Sequence, residues 1–75
     1  MSDQTFSALI YAISSDVVRR LVRGGMGLGE ALRTFYSSRV CAELCDRETG
    51  LWREPTPVLM AMLGAETRTS VERGA

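Results

Sequence analysis

An apolar period of three and four residues runs through the first third of the chain and stops at a cluster of glycines. Phe6, Leu9, Ile10, Ile13, Val17 and Leu21 share one face of a helix spanning residues 3–23, and Gly24-Gly25-Met26-Gly27 ends it. Glycine adopts the left-handed conformation that closes helices and is poor in their interior, so the chain must turn back there. Asp3 at the start, and Arg19, Arg20 and Arg23 at the end, complement the helix dipole. A second stripe, Tyr11, Val18 and Val22, lies about 120° round the same helix.

The rest of the chain divides the same way. Leu28, Ala31, Leu32 and Phe35 have the spacing of a short second helix with Gly27 as N-cap, and Glu30 is placed to return a capping-box bond. Ser37 or Ser38 then caps a third helix carrying Val40, Cys41, Leu44 and Cys45; the alternative is one continuous helix over residues 28–45. Asp46-Arg47-Glu48-Thr49-Gly50 reads as a turn with Gly50 at positive φ. It returns Leu51 and Trp52 to the core, with a short β-like arm possible at 50–54. Thr56-Pro57 reads as the N-cap and first residue of a fourth helix that ends at Gly64, and the polar residues 66–75 as a disordered tail. The expected architecture is an all-α bundle of three to four short helices over residues 1–65.

Size makes such a bundle marginal. A chain of 75 residues buries only about 60% of its extended surface, and four short helices offer few layers in which to hide two apolar stripes. This predicts association, as a homodimer or with a protein partner, through Tyr11, Val18 and Val22, with Met26, Met60 and Met62 as further apolar surface. Trp52 is the remaining candidate contact residue if it is not taken up by the core.

Chemistry is harder to place. The chain has no His, so the usual general base and commonest metal ligand are missing. Cys41 and Cys45 are two thiols on one helical face, too few for a tetrahedral zinc site and poorly directed for a disulfide within a helix. They read as small core residues. Asp46, Glu48 and Glu54 lie in a turn that water reaches, where Asp46 serves better as a cap than as an acid. The Gly24–Gly29 segment follows a helix and lacks the Lys of a phosphate loop. The expectation is no catalytic residue, no metal and no cofactor.

Nine Arg balance nine acidic residues, so there is no net field of the kind nucleic-acid or anionic-membrane binders carry. The distribution is uneven. Residues 1–40 hold five Arg against three acids and residues 41–75 hold four against six, which makes the chain a weak dipole. Arg19, Arg20, Arg23, Arg33 and Arg39 are the basis of the alternative expectation, a DNA-binding regulator with residues 38–45 as recognition helix. That segment offers one Arg and one Glu among apolar residues, a thin set for reading base edges. No apolar run reaches about 18 residues, so no membrane span is expected and a cytoplasmic location follows by default.

The run Leu28, Glu30-Ala31-Leu32, Phe35-Tyr36-Ser37-Ser38, Leu44, Asp46, Thr49-Gly50-Leu51-Trp52 and Pro57 resembles a group of small uncharacterised bacterial proteins. In that group a Glu-Ala-Leu helix leads through Phe-Tyr-x-Ser to Leu-x-Asp and Thr-Gly-Leu-Trp/Tyr. The resemblance covers residues 28–63; residues 1–23 match in helical character alone, and the Gly24–Gly29 connection is richer in glycine here. It implies an accessory or regulatory role, including toxin–antitoxin-like loci, and carries over no catalytic residue.

Overall fold

The computed structural model describes the backbone of residues 2–74 and the side chains of residues 2–68. Four α-helices follow one another: α1 (Asp3–Arg23), α2 (Leu28–Tyr36), α3 (Arg39–Leu44) and α4 (Thr56–Gly74). Two 3₁₀ turns, Arg47–Thr49 and Leu51–Arg53, join α3 to α4, and no strand occurs among the described residues. The expected all-α bundle is the observed fold.

Each helix boundary has a local cause. Ser2 caps α1, its hydroxyl accepting the Thr5 amide at 3.1 Å. At the other end Gly24 stays right-handed and Gly25 takes φ 113°. The Met26 amide then donates to the Leu21 carbonyl (3.2 Å) and the Gly25 amide to that of Val22 (3.0 Å), the paired bonds of a Schellman ending. Met26 and Leu21 both pack on the core, supplying the apolar contact that accompanies this ending. Gly27 caps α2 without a side chain, and Glu30 makes no bond back to it.

The break between α2 and α3 falls at Ser37-Ser38, and Ser38 holds both sides of it. Its hydroxyl donates to the Phe35 carbonyl at 2.5 Å and accepts the Cys41 amide at 3.1 Å. After α3, the Asp46 carboxylate accepts the Glu48 amide at 3.0 Å and Gly50 sits at φ 71°, as the turn chemistry requires. The arm expected to be β-like at 50–54 is instead a 3₁₀ turn, because the Arg53 and Glu54 amides bond back to Gly50 and Leu51.

Two expectations about α4 need correction. Its first carbonyl acceptor is Pro55, which receives the Val58 and Leu59 amides, so the helix opens one residue before the expected Thr56 cap. It also passes through Gly64 and continues to Gly74, so residues 66–74 are helix and not the expected disordered tail. Ala75, and the side chains of residues 69–75, lie outside the described residues. The physical reason is a contact distant in sequence: the Glu66 carboxylate accepts the amides of Arg39 (2.6 Å) and Val40 (3.2 Å). These are the first free donors of α3, and together with Ser38 the carboxylate satisfies three of them. The expected domain boundary at residue 65 therefore cuts through an interaction that docks α4 on α3.

The core lies where the four helices and the second turn meet. Phe35, Leu44, Leu59 and Val17 are its largest fully buried side chains, with Ala31, Val40, Cys41, Leu51 and Leu63 around them. In α4 the apolar face divides: Leu59 and Leu63 are buried, whereas Val58 faces solvent.

Candidate functional site

The short helix α2 packed between α1 and the rest of the bundle cannot bury every apolar residue, and the excess collects in one place. α2 turns Ala31 and Phe35 to the core. This leaves Leu28, Leu32 and Tyr36, spaced i, i+4 and i+8, along its outer edge beside α1. Tyr11, Val18 and Val22 form the facing wall, and the two helices enclose a groove of about 420 Å³. Tyr11 is 74% exposed, Leu28 62% and Tyr36 57%, with Val22 and Leu32 also exposed. Single exposed apolar residues are ordinary; five around one groove form a patch that sets this groove apart from the rest of the surface.

The expected contact residues fare differently. Tyr11, Val18 and Val22 come together as the spacing implied, although Val18 is buried at 8% exposure and forms the groove floor, sharing in the core. Leu28, Leu32 and Tyr36 were missed as surface because the spacing of Leu28 and Leu32 with Ala31 and Phe35 assigns all four to one helical face. The available signal was Ala31 in the middle of that face, a residue small enough to leave room for a neighbouring helix and fully buried in the structure.

Trp52 lies apart from the groove and is half-buried. Its ring meets Phe6 of α1 edge-to-face at 5.8 Å and its indole N–H donates to the Arg47 carbonyl at 3.0 Å. Arg47 in turn lies over the Phe6 ring at 4.6 Å and reaches the Ser2 carbonyl and the Asp3 carboxylate, each at 3.0 Å. This cluster ties the second half of the chain to the start of α1.

A neighbouring hollow of about 470 Å³ shares Tyr11 and Tyr36 with the groove and reaches Cys41 and Cys45. Cys41 is buried and Cys45 exposed, both as free thiols. Burial, with the Cys45 thiol beside it, pushes the Cys41 pKa above its ordinary value, so Cys41 stays protonated and unreactive near neutrality. Among the described residues no group of three or more His, Cys, Asp or Glu gathers as a metal site.

Compared with protein-family models, curated proteins and solved structures, the chain matches none. The groove has to be read from its own chemistry.

Arg20 pairs with Asp16 at 3.3 Å, and the Thr56 hydroxyl, joined by the Arg20 charge, holds the Asp16 carboxyl below the usual carboxylate range. Arg19 borders the groove. α3, the expected recognition helix, is six residues long and buries Val40, Cys41 and Leu44. No helix among the described residues is long and apolar enough to cross a membrane.

Proposed function

We propose that the protein is a small non-enzymatic binding module of the cytoplasm that acts by protein–protein contact, with the α1–α2 groove as its contact surface. The observation that carries this reading is the exposed apolar set Tyr11, Val22, Leu28, Leu32 and Tyr36 on a fold whose core is already complete without it. Tyrosines at the rim suit such a surface, since they supply large contact area with few rotatable bonds and keep a hydroxyl for water or a partner. The role is accessory or regulatory. The resemblance of residues 28–63 to small uncharacterised bacterial proteins, a group associated with accessory genes that include toxin–antitoxin-like loci, suggests an antitoxin-like module, one that covers a partner protein, as the specific case.

DNA regulation, the alternative that the Arg-rich N-terminal half raises, gains no support from α3, which spends its apolar face on the core and its first amides on Glu66. The test compares wild type with Leu32→Glu for self-association, for binding to proteins encoded by adjacent genes, and for binding to duplex DNA from the gene's own upstream region. The reading predicts that Leu32→Glu keeps the helical circular-dichroism spectrum and loses protein binding, while DNA binds only at background. Tight DNA binding that falls with salt at about −0.9 log units per phosphate neutralised, and with Arg19/Arg20/Arg23→Gln, overturns it.

A further inference from the structure

We infer that the occupant of this surface is a second copy of the chain, with α1 packed antiparallel on the α1 of its partner; the inference rests on the contact surface proposed above and names what covers it. The stripe of α1 that borders the groove and runs on toward its N-terminus consists of Gln4, Ala8, Tyr11, Ser15, Val18 and Val22, at alternating spacings of four and three, with Val18 buried and the other five wholly or partly exposed. At 100° per residue these six lie within an arc of about 80°. The spacing reads the same in both directions, so an antiparallel copy falls into register about a two-fold axis midway between Tyr11 and Ser15.

That register sets unlike residues opposite each other. Tyr11 meets Ser15 of the second copy and Ala8 meets Val18, each symmetric pair placing a small residue against a larger one, as close packing of an isologous interface requires, while Gln4 meets Val22 at the two ends. Exposure along the stripe follows the same logic. Ala8 and Tyr11 are exposed, Ser15 is half-buried and Val18 is sunk in the groove floor, so in the two central pairs raised and recessed positions exchange across the axis. A parallel pair would instead stack Tyr11 on Tyr11 and Ser15 on Ser15.

Charge selects the same arrangement. Arg47, bonded to the Ser2 carbonyl and Asp3, brings its neighbours Asp46 and Glu48 to the start of α1, and Arg53 stacks on Trp52 beside Phe6, so this end carries Asp3, Asp46 and Glu48 against Arg47 and Arg53. The other end carries Arg19, Arg20 and Arg23 against Asp16, with Glu30 and Arg33 of α2 cancelling each other. Antiparallel pairing sets the acidic end of each copy on the basic end of the other and opposes the two helix dipoles; parallel pairing crowds six Arg together. The five exposed groove side chains offer on the order of 500 Å² per protomer, well over half of the roughly 800 Å² per partner in a standard interface.

The register is read by cross-linking the full chain in a Cys45→Ser background, which removes the exposed native thiol. In the antiparallel pair the two copies of residue 15 are offset by about 6 Å along the helix axis and the two copies of residue 4 by about 27 Å. With a short bis-maleimide, Ser15→Cys is expected to give a covalent dimer and Gln4→Cys none. Sedimentation of the parent chain is expected to show a monomer–dimer equilibrium whose dissociation constant rises at least about tenfold in Val22→Glu. Cross-linking of both variants means parallel pairing and of Gln4→Cys alone a different register, and either result overturns the inference. A chain that sediments as a monomer at every accessible concentration and cross-links at neither position also overturns it, and leaves a different protein as the occupant of the same groove.

Discussion

The Glu66 carboxylate bonds to the backbone amide of Arg39 at 2.6 Å, across 27 residues of sequence, and to that of Val40 at 3.2 Å. A side chain of α4 thereby finishes the N-terminus of α3 and fixes how the two helices dock. Glu66→Ala should lower stability by about 1 kcal/mol, within the range of a lost helix cap, and Glu66→Gln by less, because one carbonyl acceptor remains without the charge. Urea unfolding followed by circular dichroism measures both. Equal stability of all three proteins would show that water replaces the carboxylate without loss.

This contact also marks where the sequence ceases to be readable. The starts of α1 and α2 and the turn at Asp46–Gly50 were legible, because each is decided by residues within four of one another. The break at Ser37-Ser38 was one of two readings, and α4 opens one residue before its Thr56-Pro57 signal. The end of α4 was not legible. Gly64 and the polar residues after it carry no apolar period, so the local signals ended the helix, while the Glu66 contact that favours its continuation lies 27 residues away in sequence. The groove was legible by half: Tyr11, Val18 and Val22 stand on one stripe of one helix. The other wall, Leu28, Leu32 and Tyr36, depends on how closely α2 approaches α1.

The two glycines whose roles sequence alone treats alike should respond oppositely to alanine. Gly64 lies inside α4 with nothing near the position a Cβ would take, so Gly64→Ala should stabilise by about 0.5–1 kcal/mol through helix propensity. Gly50 sits at φ 71°, where a side chain is strained, and Gly50→Ala should destabilise by about 1 kcal/mol. Shifts of the same sign in thermal melting of the two variants would contradict these assignments.

Phe6 and Trp52 meet edge-to-face at 5.8 Å, a geometry that couples aromatic pairs beyond their burial. A double-mutant cycle with Phe6→Leu and Trp52→Leu should return a coupling of about 0.5–1.5 kcal/mol. Because Trp52 is half-buried, its emission should be intermediate and partly quenched by acrylamide. Full quenching at the rate of free tryptophan, with additive mutations, would mean that the ring is not held against α1.

The two thiols differ in exposure and in protonation, since burial and the neighbouring Cys45 thiol raise the Cys41 pKa. Near neutral pH an alkylating reagent should modify Cys45 first and leave Cys41 largely unreacted until the chain unfolds, giving one fast equivalent by mass spectrometry. Two equivalents entering together under native conditions would show that the packing around Cys41 opens readily.

The account's central claim is that the α1–α2 groove is a protein contact surface, and methyl and aromatic NMR shifts over a dilution series test it most directly. The claim predicts concentration-dependent shifts gathered on Tyr11, Val18, Val22, Leu28, Leu32 and Tyr36, with the Phe6–Trp52 cluster and the separate hollow lined by Leu21, Met26, Met60 and Leu63 unchanged. Shifts centred on Met60, or spectra that stay constant with dilution and with every candidate partner added, would contradict it.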